Sequence, residues 1–393
     1  MYSLIIIILL TVFLVIYGLV EYRNHHRYVY KIPIRIHVNG TRGKSSVTRL
    51  IGAGLRAGGI NTIVKVTGTY PRLILNDGNE VEIHRKEKAN IIEQLKIVKY
   101  AVMHNADALI IECMALQPLY QKITERKMVH ATIGVITNVR LDHLDVMGPG
   151  LMDVAKAISY TIPTQQHFFT AENRIYDYLE KVAKKKKCFS FQSDENTVTN
   201  EEMAGFTYIE HKENVALAIA VCEHLGVNRK TALRGMYAAI SDEGVLTKAV
   251  IIKDNKKVTF FNAFAANDPE SSLMIWNNII RYSPEEDLKV IMVNTREDRL
   301  DRARQLVEMI SKSISADYVI FIGQRSEVVE DLALKNNISK EKIVNIGWVT
   351  PKEVFDSVMT KIPESATIVA IGNMGGMGAD VVKYFEKMSL SKI

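Results

Sequence analysis

Residues 34–49 read IRIHVNGTRGKSSVTR and combine three consecutive patterns. An apolar run typical of a β-strand at 34–38 leads into a turn with two glycines, and an amphipathic helical pattern follows. The turn has the spacing GxxGKS, which is two residues shorter than the GxxxxGK[ST] phosphate-binding loop. Strand, glycine loop and helix are the context that such a loop requires, because backbone N–H groups and the helix N-terminus can then face phosphate oxygens.

The residues of this turn therefore predict a nucleotide-binding loop. Gly40 and Gly43 permit positive φ angles and close approach of the backbone. Lys44 can reach the outer phosphates, and Ser45 can be a ligand of Mg²⁺. The alternative is a chance glycine turn before a helix with a solvated lysine. The candidate nucleotide-binding residues of the loop are Gly40, Thr41, Arg42, Gly43, Lys44, Ser45 and Ser46.

The bulk composition is that of a globular protein with room for two domains. The chain has 393 residues, of which 47% are hydrophobic and 24% are charged. The net charge of +6 is modest, so we do not expect a nucleic-acid partner. Cys113, Cys188 and Cys222 are widely spaced and show no metal-ligand pattern, which indicates reduced thiols rather than a disulfide framework.

The N-terminal segment has the composition of a membrane anchor. Residues 4–20 are uncharged and almost entirely apolar, which is about the minimum length of a membrane-spanning helix. A cleaved signal peptide would need positive charge before the apolar run and a small-residue cleavage site after it, and neither pattern occurs. Arg23, Arg27 and Lys31 follow the run, so the positive-inside rule places the rest of the chain in the cytoplasm. We therefore predict a single-pass anchor at residues 1–27 in the cell membrane.

Alternating strand and helix patterns after the anchor predict an α/β fold with two domains. In residues 28–244 we expect a parallel-rich sheet with strands at 34–38, 62–66, 108–111, 132–137 and 167–170, and a helix at 213–225. A change of composition at 241–244 predicts a linker. In residues 245–393 we expect a smaller Rossmann-like domain with strands at 249–252, 259–262, 290–294, 318–322 and 367–371.

Three polar residues lie at or just beyond the ends of predicted strands of the first domain. Glu112 ends one apolar run, Asn138 ends the next, and His143 follows within the segment DHLD. Open α/β sheets bind ligands at the carboxyl ends of their strands, and a carboxylate there suits Mg²⁺. The sequence therefore predicts a metal site with Glu112 and His143. The alternatives are a surface carboxylate for Glu112 and an ordinary loop histidine for His143.

Two further segments place polar residues at the start of predicted helices. Asn214 lies in the first turn of the helix predicted at 213–225, where it could also be a polar residue without a special role. Asn267 and Asp268 precede Pro269, and Asp268 is well placed to cap the helix that follows.

A cluster of arginines follows a predicted strand of the second domain. Arg296, Arg299 and Arg302 suit the recognition of a carboxylate through bidentate hydrogen bonds. A charged, solvated helix start is the alternative. The glycine-rich segment at 372–378 ends the last predicted strand and could bind an anion.

Taken in order, these motifs resemble those of the Mur ligase superfamily of ATP-dependent amide-forming ligases. The resemblance rests on the loop at 40–46, Glu112 at a strand end, the segment NVRLDHLD at 138–145, the helix start at 211–220 and the segment ANDPESS at 266–272. It implies ATP and Mg²⁺ or Mn²⁺ as cofactors. It also implies that Lys44, Glu112 and His143 are catalytic, with Ser45, Glu112 and His143 around the metal, and that Asn138, Asn214, Asn267 and Asp268 contact the nucleotide.

Within that superfamily the chain looks like the ligase subunits of bacterial poly-γ-glutamate synthases, the CapB/PgsB type. An anchor directly before the phosphate loop, the length, and the segments at 112–115, 145–149, 262–272 and 296–302 carry this resemblance. It implies that the enzyme activates the γ-carboxyl group of glutamate as an acyl phosphate. The α-amine of the next glutamate then attacks, with release of ADP and phosphate.

The implied partners are glutamate, the growing poly-γ-glutamate and the membrane subunits of a synthesis and export complex. Monomer and homo-oligomer both stay open. Two other classes of function also stay open at this point. A membrane-anchored P-loop kinase or ATPase would share the loop, and a non-catalytic scaffold subunit would keep the fold without needing Lys44 or Glu112.

Overall fold

The computed structural model describes residues 2–67, 71–85, 89–206, 208, 210–240, 246–253, 255–266 and 268–389. The chain divides into two compact units. The first contains Met1–Thr207 and His211–Ile240, and the second contains Tyr208–Glu210 and Ser241–Ile393. The expected linker at 241–244 lies outside the described residues.

The first unit begins with a long helix and continues with alternating strands and helices. A π-helix at Thr124–Val129 and 3₁₀ helices at Ser159–Thr161 and Glu195–Thr197 interrupt the pattern. In chain order the elements are α1 (Tyr2–Lys31), β1 (Ile34–Asn39), α2 (Lys44–Ala57), β2 (Thr62–Val66), β3 (Arg72–Ile74), β4 (Glu80–Glu82), α3 (Glu93–Met103), β5 (Ala108–Glu112), α4 (Pro118–Ile123), β6 (Ile133–Ile136), α5 (Leu144–Met147), α6 (Leu151–Ile158), β7 (His167–Thr170), α7 (Tyr176–Lys185), β8 (Phe189–Gln192), α8 (Asn200–Met203), α9 (Lys212–His224) and α10 (Arg229–Tyr237).

The strands of the first unit form an eight-stranded sheet in the order β4-β3-β2-β5-β1-β6-β7-β8. The pairs β2–β3 and β3–β4 are antiparallel, and all other neighbours are parallel. β1 lies between β5 and β6, which both follow it in sequence, so the chain order reverses at this strand. Such a switch point leaves a crevice at the carboxyl ends of the strands, where open α/β sheets bind ligands.

The second unit has a six-stranded sheet in the order β13-β12-β11-β14-β10-β9, in which only the β9–β10 pair is antiparallel. It also has 3₁₀ helices at Glu297–Arg299 and Lys340–Lys342. Its elements are β9 (Thr247–Lys253), β10 (Lys256–Asn262), α11 (Pro269–Arg281), β11 (Leu288–Thr295), α12 (Leu300–Ser313), β12 (Tyr318–Gly323), α13 (Ser326–Lys335), β13 (Ile343–Gly347), α14 (Pro351–Lys361), β14 (Ala366–Gly372) and α15 (Gly378–Lys387).

The apolar patterns that predicted the elements are also the faces that the cores bury. Helix α2 buries Val47, Leu50, Ile51 and Leu55, which is the face expected from its 3.6-residue period. All five residues of β5 and five of the six residues of β1 are buried, as expected for central strands of a sheet covered on both faces. Apolar side chains pack on both faces of the sheet in the second unit as well.

The α/β fold, the parallel-rich sheets and all ten predicted strands are confirmed, with end positions that differ by up to three residues. The sequence analysis missed four strands: β3, β4, β8 and β13. The first two are three residues long, and most of β8 is exposed, so none of these three shows a clear apolar period. The antiparallel hairpin formed by β3 and β4 was missed with them.

Helix α1 is long and apolar enough to cross a membrane, and the side chains of its residues 4–20 are all exposed. The helix does not end where the predicted anchor ends, at residue 27, but continues to Lys31. Its last two turns pack against the rest of the first unit. His25 and Val29 are buried there, and His25 Nε2 lies 2.8 Å from the carbonyl oxygen of Met128.

We therefore expect two N-terminal deletions to differ. A variant without residues 1–20 should be soluble without detergent and unfold at the temperature of the full-length chain, because the side chains of residues 4–20 are exposed. A variant without residues 1–27 should be soluble but less stable by about 1 kcal/mol or more, because it loses buried His25 and its hydrogen bond. Thermal unfolding of all three proteins measures the difference. Aggregation of the shorter deletion would show that residues 4–20 pack into the folded unit.

Candidate functional site

The loop between β1 and α2 approaches the end of β6 so closely that glycine is required in it. Gly40 has φ 134°, and a Cβ atom built on it would lie 2.0 Å from Thr137 Oγ1. Gly43 has φ 77° and precedes the first residue of α2. A Cβ there would lie 2.5 Å from the side-chain oxygen of Asn214. A larger residue at either glycine of the predicted loop would therefore collide with a neighbouring side chain.

Hydrogen bonds fix the loop to the segment that follows β6. The side-chain oxygen of Asn138 accepts from the backbone N–H of Arg42 at 3.0 Å, and its carbonyl accepts from the N–H of Thr41 at 3.0 Å. Thr137 Oγ1 donates to the carbonyl of Arg42 at 2.5 Å. The N–H of Arg140 donates to Thr41 Oγ1 at 2.9 Å. Asn138, predicted to contact the nucleotide, is thus in position to set the shape of the loop that would hold it.

Lys44 is the first residue of α2, and its ammonium group is held inside the loop. Lys44 Nζ donates to the carbonyls of Gly40 at 2.9 Å and Thr41 at 3.1 Å. Burial lowers the pKa of Lys44, and the nearby carboxylate of Glu112 opposes that shift. The side chain therefore places a positive charge at the helix N-terminus, where the backbone N–H groups also favour an anion. Ser46 lies in the same first turn and is half-buried.

Two predicted metal ligands are in direct contact. Ser45 Oγ lies 3.1 Å from each carboxylate oxygen of Glu112, and Glu112 Oε2 also accepts from the backbone N–H of Thr67 at 2.6 Å. Glu112 is only 2% exposed, so it is not a surface carboxylate. A hydroxyl and a carboxylate, both oxygen donors, suit the chemistry of Mg²⁺. These residues fit the metal that the resemblance implies.

His143 follows Asp142 in the segment between β6 and α5. It borders a small cavity of about 40 Å³ together with Lys44, Cys113 and Asp142. Its φ is 49°, and its Nε2 lies 3.8 Å from Asp142 Oδ2. Among the described residues, no group of three or more His, Cys, Asp or Glu side chains is arranged to hold a metal ion. The metal role of His143 therefore stays a prediction.

Asp142 links the same segment to the loop, since its Oδ2 lies 3.4 Å from Nη2 of Arg42. The first turn of helix α9 also lies against the loop. Asn214 is 3% exposed in the first turn of α9 and, as described above, lies against Gly43. Glu213 Oε1 lies 3.7 Å from Nη2 of Arg140. The structure thus gathers the loop, Asn138, Asp142 and Asn214 in one place, although 172 positions separate the first and last of these segments (214 − 42).

Cys113, Cys188 and Cys222 are free and buried, as expected for packed thiols. Burial raises the pKa of Cys188 to about 11 and that of Cys222 to about 12, so neither is a ready nucleophile.

In the second unit, Asp268 caps α11, as predicted. Its Oδ1 accepts from the N–H of Ser271 at 2.9 Å, and Pro269 is the first residue of the helix. Asn267 lies outside the described residues. The predicted nucleotide contacts of both residues stay predictions.

The arginine cluster and the glycine-rich segment of the second unit meet at the ends of the adjacent strands β11 and β14. Arg296 donates to both carboxylate oxygens of Asp298, at 3.0 and 2.8 Å. Its Nη1 is also so close to Gly375 that a Cβ on that glycine would lie 2.7 Å away. Arg299 Nε is 3.8 Å from Asp298 Oδ2, and Arg302 lies in the first turn of α12. Asp298 therefore neutralises part of the cluster.

The sequence analysis missed a buried ion pair behind the loop. His37 in β1 is fully buried, and its Nδ1 lies 2.8 Å from Oε2 of Glu125 in the π-helix. Burial alone would lower the pKa of His37, but interactions with Cys113 and Glu125 outweigh it and raise that pKa to about 9. A polar residue within a largely apolar strand gives no indication of its partner, which here lies 88 positions away.

A second buried group of charges lies beside β5. Lys65 in β2 is fully buried, and its Nζ is 2.7 Å from Oε1 of Glu93. Arg85 Nε binds Oε2 of the same carboxylate at 2.8 Å. Burial lowers the pKa of Lys65, and Glu93 counters this effect. The sequence analysis did not predict this group either.

Comparison with known proteins identifies the family. The Mur ligase middle domain matches residues 38–240, and the C-terminal domain of poly-gamma-glutamate synthase CapB matches residues 248–388. The chain therefore belongs to the Mur ligase family and is an ATP-dependent amide ligase.

Two relatives narrow this assignment. The chain is 37% identical to "Capsule biosynthesis protein CapB" of Bacillus anthracis, over 97% of this chain and 82% of the relative. It is 33% identical to "PGA synthase CapB" of Bacillus subtilis (strain 168), over 99% of both. Within the Mur ligase family, the chain is a member of the CapB group.

A solved structure shows the same fold. The bifunctional folylpolyglutamate synthase/dihydrofolate synthase of Yersinia pestis, complexed with AMPPNP and a Mn ion, aligns with 92% of this chain and 92% of its own. The TM-score is 0.66 at 13% identity. The predicted fold class and the resemblance to the Mur ligases are thus confirmed.

We expect the His37–Glu125 pair to make stability depend on alkaline pH. Because the pKa of His37 is raised on folding, its contribution is fully present below about pH 6.5 and is lost as the pH rises through 9. Between pH 6.5 and 9.5 the wild type should lose roughly 1–3 kcal/mol more unfolding free energy than His37→Gln. Urea unfolding at each pH measures this difference.

A matched control is His84→Gln, which changes a histidine whose side chain is 86% exposed. It should follow the wild type at every pH. Equal pH dependence in wild type and His37→Gln would show that His37 does not bind its proton more tightly in the folded state.

Proposed function

We propose that this ligase joins glutamate residues, linking the γ-carboxyl group of one to the α-amine of the next through an acyl-phosphate intermediate. The observation that carries the proposal is the placement of Lys44, Ser45 and Glu112 together at the carboxyl ends of the adjacent strands β1 and β5. This arrangement suits the binding of a nucleoside triphosphate and a divalent cation. The names of the relatives, which refer to capsule and PGA synthesis, support glutamate as the substrate.

The chain's own residues would bind and orient ATP. The backbone N–H groups of the loop and the N-terminus of α2 would bind the phosphates, and Lys44 would add positive charge. Asn138 keeps the loop in shape through its hydrogen bonds to Thr41 and Arg42. Asn214, Asn267 and Asp268 are further proposed nucleotide contacts.

Ser45 and Glu112 would hold Mg²⁺ or Mn²⁺, with His143 as a further proposed ligand or phosphate contact. When bound, the cation neutralises the negative charge of the phosphates, including the charge on the oxygens of the phosphoryl group during its transfer. Glu112 is oriented for this task by the N–H of Thr67.

The chemistry requires activation because a carboxylate is a poor electrophile. A γ-carboxylate oxygen forms a bond to the γ-phosphorus of ATP while the bond from that phosphorus to ADP breaks. The neutral α-amine of a second glutamate then attacks the acyl carbon, the bond to phosphate breaks, and the amide nitrogen loses a proton. The protein contributes position and charge stabilisation in both steps.

We propose that Arg296, Arg299 and Arg302 bind carboxylates of the substrate. A guanidinium matches a carboxylate through two parallel hydrogen bonds. Arg296 makes this type of bond with Asp298, so its geometry already suits such a partner. Asp298 would then compete with the substrate for Arg296.

We further propose that α1 anchors the chain in the cell membrane as a single-pass helix, with the catalytic units in the cytoplasm, where ATP is available. Arg23, Arg27 and Lys31 follow the apolar segment and agree with this orientation. Membrane subunits of a polymer synthesis and export complex are the proposed partners.

The acyl phosphate can be tested by trapping. With ATP, Mg²⁺, glutamate and hydroxylamine, the purified full-length protein should release ADP and phosphate and form glutamyl hydroxamate, because hydroxylamine attacks the activated carboxyl group. Mass spectrometry of the products measures both. AMP and pyrophosphate would place the enzyme in the adenylating class. ADP without any hydroxamate would favour a kinase or ATPase, and no turnover at all would favour a scaffold subunit.

Lys44→Ala should lower ATP turnover at least about a hundredfold, because the variant loses the charge that stabilises the transferred phosphoryl group. Its melting temperature should stay close to that of the wild type, since the lysine contacts loop carbonyls and not the core. Lys230→Ala, which changes an exposed lysine of the same unit, should keep full turnover. Wild-type turnover in folded Lys44→Ala would remove the basis for the proposed phosphate loop.

A further inference from the structure

A second cavity lies in the first unit at the opposite end of α2 from the phosphate loop. Its volume is about 420 Å³, within the range of about 300–1,000 Å³ that is typical of small-molecule sites. Small residues of α2 and α10 form part of the wall. The polar lining comes from Arg49, Arg56, Asn76, Asp77, Asn79 and Glu80.

One of the two arginines is neutralised within the protein. Arg49 is 4% exposed and forms an ion pair with Glu80, in which Arg49 Nη2 lies 3.2 Å from Glu80 Oε2. Arg49 Nη1 also lies 3.3 Å from the carbonyl oxygen of Ile240. The carboxylate of Glu80 also lies 3.6 Å from Arg72 Nε. Glu80 therefore already pairs with two arginines, Arg49 and Arg72.

The second arginine of the lining, Arg56, differs from Arg49. Its side chain has no hydrogen bond or ion pair with any of the described residues, and its Nη1 atom is fully buried. Burial lowers the pKa of Arg56, and the charges of Glu80 and Asp77 oppose that shift. A buried charged donor without an acceptor is costly, so the site favours a ligand that brings an anionic oxygen.

Asp77 supplies the opposite charge in the same cavity. Its two oxygens accept from the backbone N–H of Asn79 at 2.9 Å and from its side-chain amide at 2.7 Å. A carboxylate has about four acceptor positions, so these bonds leave room for a ligand donor. The cavity therefore offers one guanidinium to an anion and one carboxylate to a cation.

We propose that this cavity binds an α-amino acid, with its carboxylate on Arg56 and its ammonium group on Asp77. The identity of that amino acid as glutamate rests on the proposed function. Arg56 lies twelve residues after Lys44 on α2, so the two sites are about 18 Å apart along the helix. A ligand in this cavity is thus bound away from the phosphate loop and is not the reacting carboxylate.

Two sources present the same pair of charges. Free glutamate is one. The amino-terminal residue of a γ-linked polymer is the other, because its γ-carboxyl group is in the amide while its α-ammonium and α-carboxylate groups are free. If the ligand is free glutamate, the cavity is a second binding site for the substrate. If the ligand is the polymer, the cavity binds the amino-terminal end of the product.

The test is equilibrium binding of labelled glutamate and of a short γ-glutamyl oligomer to the full-length protein in detergent. Arg56→Gln should weaken one class of sites about ten- to a hundredfold, because it removes a charged hydrogen bond. Asp77→Asn should weaken the same class, and Arg56→Lys should fall between wild type and Arg56→Gln. The matched control is Arg234→Gln on α10, an exposed arginine that does not line the cavity.

The ligands decide between the sources. Oligomer binding tighter than glutamate binding would assign the cavity to the polymer end, and the reverse order would assign it to free glutamate. N-Acetylglutamate, which lacks the ammonium group, should bind weakly in either case. Displacement of glutamate by an equal concentration of inorganic phosphate would overturn the proposal in favour of a general anion site.

Two other results would also overturn it: unchanged binding in Arg56→Gln, or an equal loss of binding in Arg234→Gln. Unchanged binding together with a lower melting temperature in Arg56→Gln would mean that Arg56 only stabilises the end of α2. Lys44→Ala should keep the Arg56-dependent binding although it loses turnover, so failure of this inference and failure of the proposed catalysis are distinguishable.

Discussion

The close approach of the β1–α2 loop to the end of β6 is the constraint on which the site depends. Gly40 lies where a side chain would collide with Thr137, and Asn138 binds the loop through its side chain and its backbone. These contacts fix where α2 begins. The start of α2 in turn decides the positions of Lys44 and Ser45, and through Ser45 the link to Glu112 on the neighbouring strand.

The strand order makes these contacts available. β1 lies between β5 and β6, so three carboxyl ends meet at one place although β5 and β6 follow β1 by about 70 and 100 positions. In the second unit, β11 and β14 are neighbours in the same way and bring Arg296 to the glycine-rich segment. Each unit thus collects its polar groups at the carboxyl edge of a parallel sheet, which is the usual location of ligand sites in such folds.

Several buried charges of the first unit are paired, and the pairing distinguishes structural from ligand-binding roles. His37 is matched by Glu125, Lys65 by Glu93, and Arg49 by Glu80. Removing one member of such a pair leaves an uncompensated charge, so these residues support the fold. Arg56 differs because no described residue neutralises it directly, and this difference is what makes its cavity a candidate ligand site.

The sequence by itself determined the local features of this protein. The GxxGKS spacing, the apolar strands and the face of α2 follow from backbone geometry and side-chain period, which act over a few residues. The loop and ten of the fourteen strands in the described part of the chain were therefore predictable. The short or exposed strands β3, β4 and β8 have too little apolar period to be seen.

Only the tertiary structure decided which distant groups meet. The bond from Arg42 to Asn138 joins residues 96 positions apart, and the His37–Glu125 pair joins residues 88 positions apart. Neither separation leaves a periodic signal in the sequence. The lack of a partner for Arg56 among the described residues is likewise a consequence of packing, because whether a buried charge finds a partner depends on the three-dimensional arrangement of all its neighbours.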